Sequence, residues 1–511
     1  MAATTMVAGA GCNVITGADS LVLRRQSDGG GGAGGAGGAT VGGAGGAVAT
    51  TGVGGGGQGS GGLGASAYGY ADGVALTSVD LYQGIRRPLV AGGALVTSDI
   101  PIVAGKDAMV RLFYATSSGY DGQPVTARFS VNNGPAIEQT VAITGTSSQP
   151  QLGSTINLAL PGATLTPGAT FKVELLQPSE SSSGSNGEAA FPSDGGTAPL
   201  AVQQGGVKLK ITLVPVSNNG TLPDTSSAQV QAYQTLFAEQ YPVAAVAISV
   251  RSQAYTFNGD LSSYNGWTAL LDEITTLRGQ DGVPADVYYY GIHAGPDTGL
   301  LGLGWVASPN DVTSRAAIGV GWTGNTAPET AIHEVGHNHG RQHSPCGVAG
   351  DANFPHAGAG IGVWGFSPSQ NALFSPSTHK DFMSYCQPRW VSDWTFQALF
   401  TRLKQVSTSP LVFVPDHLKN RTYDRVRVLH GQLSWRPPVT LAIPPMGEVT
   451  DVEIVTAAGG KQTVHGHYYP YDHLNGGLLY LLRPQQWQGS LDSIQSLKVE
   501  AEGQHLQLGG Q

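Results

Sequence analysis

The residues best suited to chemistry lie in the stretch 330–343, TAIHEVGHNHGRQH. His333 and His337 are four positions apart, so on a helix their imidazoles share one face. Two imidazoles at that spacing can bind one Zn²⁺ at roughly 2.0–2.1 Å. Glu334 follows the first histidine and can act as a general base toward a water molecule at that ion.

The residues after this pair supply a third ligand. Gly340 predicts the end of the helix, because glycine adopts a left-handed turn without steric cost. His343 can then fold back toward His333 and His337. Three protein ligands leave one coordination position open, which is typical of a catalytic zinc site. The alternative is a surface helix that is rich in histidine by chance.

Other histidines of this region fit the metal less well. His339 is two residues from His337 and points away from the ligand face. We expect that His356 and His379 are not ligands either.

A second element lies downstream, at residues 381–386, DFMSYC. Together with the pattern H-E-x-x-H-x-x-G-x-x-H, it resembles the metzincin clan of zinc metallopeptidases, in which a Met-turn follows the zinc motif. The resemblance implies that Met383 packs beneath the three histidines. It also implies that Tyr385, two residues later, ligates the zinc or stabilises the transition state.

The resemblance covers about residues 205–405 and implies an α/β (α+β) catalytic domain with a mixed sheet and an active-site helix. The hydrophobic pattern agrees, because strand and helix signals alternate from residue 207 onward. The patterns predict helices over 225–240 (N-cap Asp224 or Thr225), 266–277 and 326–340, and strands over 207–216, 243–250, 285–292, 299–307 and 316–322.

A narrower resemblance comes from HEVGHNHG followed by Trp364-Gly365. This combination is most similar to large secreted bacterial metzincins that cleave surface glycoproteins and mucins and carry β-sandwich modules. It implies an extracellular or cell-surface location and a protein or glycoprotein substrate.

Two cysteines flank the loop between the zinc motif and the Met-turn. Cys346 follows the third ligand and Cys386 follows the Met-turn, so both should lie near the metal and could form a disulfide. Two reduced thiols are the alternative. A disulfide would place the protein outside the cytosol.

Composition divides the chain into five segments. The regions around the catalytic segment show short strands separated by turn residues, which predicts β-sandwich-like domains. The predicted segments are a tail (1–28), a Gly-rich linker (29–74), a β-sandwich-like domain (75–199), the zinc peptidase domain (200–410) and a C-terminal β domain (411–511).

The tail contains a third cysteine, Cys12. The small residues before it resemble the stretch that precedes the lipidated cysteine of bacterial lipoproteins, although Gly9 stands where leucine is usual. Cys12 is therefore a candidate lipid anchor to a membrane; an ordinary thiol is the alternative.

Charge and hydropathy argue against two other classes of protein, nucleic-acid binders and proteins with transmembrane helices. The net charge is −9 and only 26 of 511 residues are Lys or Arg, which argues against a nucleic-acid binder. No apolar run reaches the ~18–20 residues of a transmembrane helix. The sequence leaves Ca²⁺ sites and oligomeric state open, with a monomer as the simplest expectation.

The main hypothesis is a zinc-dependent endopeptidase that binds an extended substrate along a sheet-edge strand near Gly299–Ala307. An alternative is a surface adhesin or glycan-binding protein with a vestigial protease domain. A zinc hydrolase of a non-peptide amide is a third.

Overall fold

The computed structural model describes residues 68–178, 186–206, 208–408, 414–456, 461–483, 494–501 and 504–509. The predicted tail, Cys12 and nearly all of the predicted linker lie outside the described residues. Residues 68–511 form one compact unit.

Two antiparallel sheets make up the first part of this unit. One has the order β1-β10-β7-β8, with β11 and β12 also paired to β10; the other has the order β4-β3-β2-β6-β9. A parallel pair, β5 and β13, lies beside them. The elements are β1 (Tyr68–Tyr70), β2 (Val74–Tyr82), β3 (Arg86–Ala91), β4 (Ala94–Leu95), β5 (Ile102–Val103), β6 (Ala108–Thr116), β7 (Val125–Val131), β8 (Ile137–Val141), β9 (Ile156–Leu160), β10 (Thr170–Pro178), α1 (Asn186–Ala189), β11 (Ala190–Phe191), β12 (Ala198–Pro199) and β13 (Val202–Gln203).

The two sheets share one apolar core. Phe129 and Phe171 from the first sheet are buried with Leu81 and Leu112 from the second. Alternate residues of each strand enter this core, as the short alternating sequences predict. The described fold begins at Tyr68, within the range predicted for the linker.

A mixed sheet forms the centre of the unit. Its order is β15-β14-β17-β19-β18, with β16 also paired to β14. All pairs are parallel except β18, which runs antiparallel to β19 at the edge. The elements are β14 (Lys208–Asn218), α2 (Ser227–Gln240), β15 (Ala245–Val250), β16 (Tyr255–Phe257), α3 (Tyr264–Gln280), β17 (Val287–His293), β18 (Gly302–Gly304), β19 (Ala316–Val320), α4 (Thr326–Asn338), β20 (Gly365–Ser367), β21 (Ala372–Phe374), β22 (Lys380–Asp381), β23 (Arg389–Trp390) and α5 (Asp393–Thr408).

The central sheet separates two apolar cores, because alternate residues of a strand point to opposite faces. Tyr288 and Tyr290 of β17 enter a core with α2, α4 and α5. Tyr289, between them, enters a second core with α3. Helices together with several sheets confirm the α+β class.

The predicted helices are present with shifted ends, whereas α5 was not predicted from the sequence. Helix α2 is capped by Ser226, whose hydroxyl accepts the backbone N–H of Gln229 at 3.3 Å. The predicted caps Asp224 and Thr225 were wrong, since Asp224 instead accepts the N–H of Ser226 at 2.9 Å. The strand predicted over 299–307 is limited to β18.

The C-terminal part is one seven-stranded antiparallel sheet. Its order is β25-β24-β28-β27-β26-β29-β30. The strands are β24 (Arg421–Leu429), β25 (Gln432–Leu441), β26 (Glu448–Thr456), β27 (Lys461–Pro470), β28 (Gly476–Leu482), β29 (Ile494–Ala501) and β30 (Gln504–Gly509).

This sheet is joined to the central one by a shared core. Tyr469, Tyr471 and Leu478 are buried in the same cluster as Trp305 and the residues of α3. The rings of Trp305 and Tyr471 stack with centroids 5.1 Å apart. The shared core holds the turn between β27 and β28 next to the edge strand β18.

None of the described helices is long and apolar enough to cross a membrane.

Because the two sheets share a core, a cavity in it should destabilise both. Leu478 is fully buried in that core, so Leu478→Ala should lower the free energy of unfolding by about 2–4 kcal/mol. Val449, on β26 of the same sheet, is 65% exposed, and Val449→Ala should change the free energy of unfolding by less than about 0.5 kcal/mol. Denaturant unfolding followed by tryptophan fluorescence measures both values; equal effects would contradict a shared core.

Candidate active site

Helix α4 carries the first three predicted site residues. His333, Glu334 and His337 are all buried on it. The imidazoles of His333 and His337 lie one turn apart, with ring centroids 4.8 Å from each other. The i, i+4 spacing therefore brings both rings to one side of the helix, as the sequence predicts.

Backbone carbonyls fix the tautomers of these two imidazoles. Nδ1 of His333 lies 2.8 Å from the carbonyl oxygen of Phe382, and Nδ1 of His337 lies 2.6 Å from that of Arg341. A carbonyl can only accept, so both Nδ1 atoms carry the proton and donate it. Each Nε2 is left with a free lone pair, the form in which an imidazole binds a metal.

His343 completes the set. Its Nε2 lies 3.2 Å from Nε2 of His337, which in turn lies 3.2 Å from Nε2 of His333. Two nitrogens at ~2.0–2.1 Å from one tetrahedral Zn²⁺ are about 3.3 Å apart. The donor set therefore fits a single zinc ion.

The protonation of the three histidines agrees with that use. Burial lowers the pKa of His333 and His337 well below the usual value, with neighbouring imidazoles adding to the effect. Burial also lowers the pKa of His343 to about 3. All three are neutral at pH 7, as metal ligands must be.

The turn that returns His343 depends on Gly340. The helix ends at Asn338, and Gly340 has φ = +76°, a conformation that other residues adopt at a cost. Its N–H donates to the carbonyl of His337 at 2.7 Å. The chain then reverses, and His343 meets the ring of His337 edge to face at 4.7 Å.

The buried carboxylate of Asp381 connects the segment after His343 to the segment that contains Met383. It accepts the hydroxyl of Ser344 at 3.0 Å, the N–H of Met383 at 2.8 Å and the N–H of Ser392 at 2.9 Å. Ser344 directly follows His343 and also donates its N–H to the carbonyl of Met383 at 3.0 Å. One side chain thus sets the position of the third ligand, the Met-turn and the start of α5.

Met383 is fully buried against α4. A Cβ on Gly336 would lie 2.6 Å from Sδ of Met383, so only glycine permits this approach. The sulfur therefore lies at the helical turn between His333 and His337.

Cys346 and Cys386 form a disulfide, as predicted. The N–H of Tyr385 donates to the carbonyl of Cys346 at 3.0 Å in the same region. The bond and the hydrogen bond together hold the segment that carries Tyr385 against the segment that carries His343.

Glu334 and Tyr385 both lie beside the imidazoles. Burial raises the pKa of Glu334 to about 8, and its Oε2 has no hydrogen-bond partner in the described structure. The ring of Tyr385 lies 5.2 Å from that of His343 and 6.2 Å from that of His333. Burial raises the pKa of the Tyr385 phenol above its usual value, so the hydroxyl is a proton donor at neutral pH.

Two residues of the site, Asp472 and His473, were not predicted from the sequence. They lie in the turn between β27 and β28. Oδ2 of Asp472 is 3.2 Å from Nε2 of His337, and Nε2 of His473 is 2.9 Å from Oε1 of Glu334. Asp-His next to a Gly-rich turn, 471–477, was the available signal, but no spacing links it to a motif more than a hundred residues earlier.

The other histidines of the motif region lie elsewhere. His339 stacks on Tyr288 at 4.5 Å and its Nδ1 contacts the carbonyl of Val335 at 2.7 Å. His356 pairs with Asp393 at 2.6 Å. His379 contacts the hydroxyl of Thr378 at 3.0 Å. None of the three belongs to the group of imidazoles around His337.

A family model described as Peptidase M66 matches residues 314–397. No curated relative matches the chain at a significant level. The matched stretch contains β19, α4, the turn of His343, the disulfide and the Met-turn. It supports a zinc metallopeptidase, whereas Asp472 and His473 lie outside it.

Zinc should stabilise the protein through these imidazoles. At a concentration of Zn²⁺ about 100-fold above Kd, the free energy of unfolding should rise by about 2.7 kcal/mol over that of chelator-treated protein. His337→Ala should abolish most of this gain. His339→Ala is the matched control: it loses the stack on Tyr288 and starts less stable, but keeps the zinc-dependent gain. Thermal unfolding with and without zinc measures both; an equal loss in the two variants would contradict the assignment.

The role of Asp381 can be tested with an isosteric change. Asp381→Asn replaces a carboxylate oxygen by an NH₂ group, which must then face an N–H or hydroxyl donor. We therefore expect a loss of about 1–3 kcal/mol in the free energy of unfolding and a faster release of zinc to a chelator. The control is Asp194→Asn, because exposed Asp194 accepts a single N–H, that of Gly196. Zinc release as slow as in the wild type would show that Asp381 does not hold the site.

Proposed function

We propose that the protein is a zinc-dependent endopeptidase of metzincin type that hydrolyses extracellular proteins or glycoproteins. The observation that carries the proposal is the convergence of three neutral imidazoles, each presenting Nε2, beside the buried carboxylate of Glu334. The Peptidase M66 match over the same residues supports it.

His333, His337 and His343 would hold the ion. A bound Zn²⁺ supplies Lewis acidity, which polarises the scissile carbonyl and makes a water molecule more acidic. Glu334 takes the proton from the attacking water and passes it to the nitrogen of the leaving amine. Burial raises the pKa of Glu334 to about 8, and a bound divalent cation would favour the ionised carboxylate, which is the form that accepts a proton.

Tyr385 stabilises the charge that develops on the carbonyl oxygen. Its phenol is protonated at neutral pH and lies beside His343 and His333, on the side of the site formed by the Met-turn. The hydrogen bond that Tyr385 donates to the oxyanion in the transition state is stronger than the bond that it donates to the carbonyl of the bound substrate. Only such a difference accelerates the reaction.

An extended peptide would bind along β18. This strand is the antiparallel edge of the central sheet, and its residues Gly302–Gly304 carry no side chains except that of Leu303. The backbone of such an edge can pair with a substrate strand and lead it across the zinc site.

Two further features support an extracellular site of action. The Cys346–Cys386 disulfide is stable under oxidising conditions. The small number of charged residues, 12% of the chain, also suits a secreted protein. Attachment to a membrane through a lipid on Cys12 is proposed from the sequence alone, as is a monomeric state.

The role of Glu334 is tested by Glu334→Gln. Cleavage of unfolded casein should fall by at least about 10²-fold while the zinc content stays at one ion per chain. Glu329→Gln is the matched control, because Glu329 lies on the same helix, pairs with Arg389 at 3.0 Å and is not part of the cluster of imidazoles and acids. Full activity of Glu334→Gln would overturn this role.

A further inference from the structure

A segment of the C-terminal sheet reaches the zinc site. Tyr471 forms an antiparallel bridge with Trp305, directly after β18, and the two rings stack. Oδ1 of Asp472 accepts the N–H of Gly304 at 3.1 Å. The segment Tyr471–His473 therefore pairs with the edge strand on which an extended substrate would bind.

The next residue, His473, lies among the catalytic groups. Its Nε2 is 2.9 Å from Oε1 of Glu334, and its Nδ1 is hydrogen-bonded to the hydroxyl of Tyr385. Its ring stacks on that of His333 at 5.2 Å and lies 4.9 Å from that of His343. His473 thus contacts both side chains that the proposed reaction needs.

The four imidazoles form a single group. One nitrogen each of His333, His337, His343 and His473 lies within 4.8 Å of all the others. The Nε2 atoms of the His333–His337 and His337–His343 pairs are 3.2 Å apart, and the imidazole of His473 is the remaining nitrogen donor of this group. The buried Oδ2 of Asp472 lies 3.2 Å from Nε2 of both His337 and His473, at the same point.

We propose that His473 is a fourth protein ligand of the zinc and that Tyr471–His473 closes the site in a latent form. Four protein ligands leave no coordination position for a water molecule or a carbonyl, which is the arrangement of structural zinc sites. The ligand role stands by itself, whereas the latency rests on the proposed peptidase function.

Opening of the closed site would require movement of only the turn between β27 and β28. Tyr469 and Leu478, on either side of the turn, are buried in the core shared with α3, so the sheet as a whole stays in place. Between them, the N–H of Tyr471 donates to the carbonyl of Gly476 at 3.0 Å and the carbonyl of Asn475 accepts the N–H of His430 at 2.9 Å, so the turn is anchored at both ends and residues 472–474 lie between the anchors. A substrate strand on β18 would have to displace this turn and, with it, the imidazole of His473.

The ligand role is tested on full-length protein loaded with Zn²⁺ or Co²⁺. His473→Ala should release zinc to a chelator about tenfold faster than the wild type, or more. The visible spectrum of the Co²⁺ form should change, since one nitrogen ligand is replaced by solvent. His465→Ala is the control, because His465 lies on β27 and pairs with Asp451 at the surface. Should His473→Ala fold poorly, His473→Gln removes the imidazole while keeping a side chain of similar length.

The latency is tested by casein cleavage with the same variants. His473→Ala should cleave faster than the wild type, and adding Glu334→Gln to it should abolish the gain. An unchanged zinc release rate and Co²⁺ spectrum would overturn the ligand role, whatever the activity. Slower cleavage by a His473→Ala protein that retains zinc would overturn the latency.

The two proposals can fail separately. If zinc release and the Co²⁺ spectrum respond to His473→Ala, but neither the wild type nor His473→Ala cleaves casein or a mucin-type glycoprotein, the peptidase function is wrong and the ligand role stands. If cleavage depends on Glu334 but not on His473, the peptidase function stands and the latent form is wrong.

Discussion

The crowding of three imidazole lone pairs is the constraint on which the site depends. The protons of His333 and His337 are donated to backbone carbonyls, so their Nε2 atoms can only accept. At 3.2 Å they cannot hydrogen-bond to each other, and burial removes most of the water that could separate them. Such an arrangement is favourable only around a cation, so the fold must supply the free energy that assembles it before a metal arrives.

That free energy comes from contacts on the far side of the ligands. Met383 packs into the gap that Gly336 leaves on α4, and Asp381 ties the Met-turn to the residue after His343. The disulfide between Cys346 and Cys386 holds the same two segments together. None of these contacts is made by an imidazole nitrogen, yet together they set the distances between the three rings, which is the preorganisation that metal catalysis requires.

The sequence alone predicted the positions of site residues wherever their geometry follows from local spacing along the chain. The i, i+4 rule placed His333 and His337, and the conformational freedom of glycine at Gly340 explained the return of His343. Local spacing could not reveal Asp381 as the connecting carboxylate, because its partners come from three separate segments. It also could not reveal His473, since the shared core that brings β27 and β28 beside β18 depends on residues more than a hundred positions apart, such as Trp305 and Tyr471.

The closed arrangement has a consequence for charge. Four neutral imidazoles leave the two positive charges of a zinc ion to be balanced by nearby acids, and Glu334 and Asp472 are the two carboxyl groups of the same cluster. A divalent cation would favour the ionised form of both, although burial alone raises their pKa values. With both ionised, the closed site is neutral overall. Displacement of Asp472 together with His473 removes one negative charge, so the open site has a net positive charge at the moment when a carbonyl oxygen becomes negative. The same movement that admits a substrate therefore also makes the site electrostatically suited to the transition state.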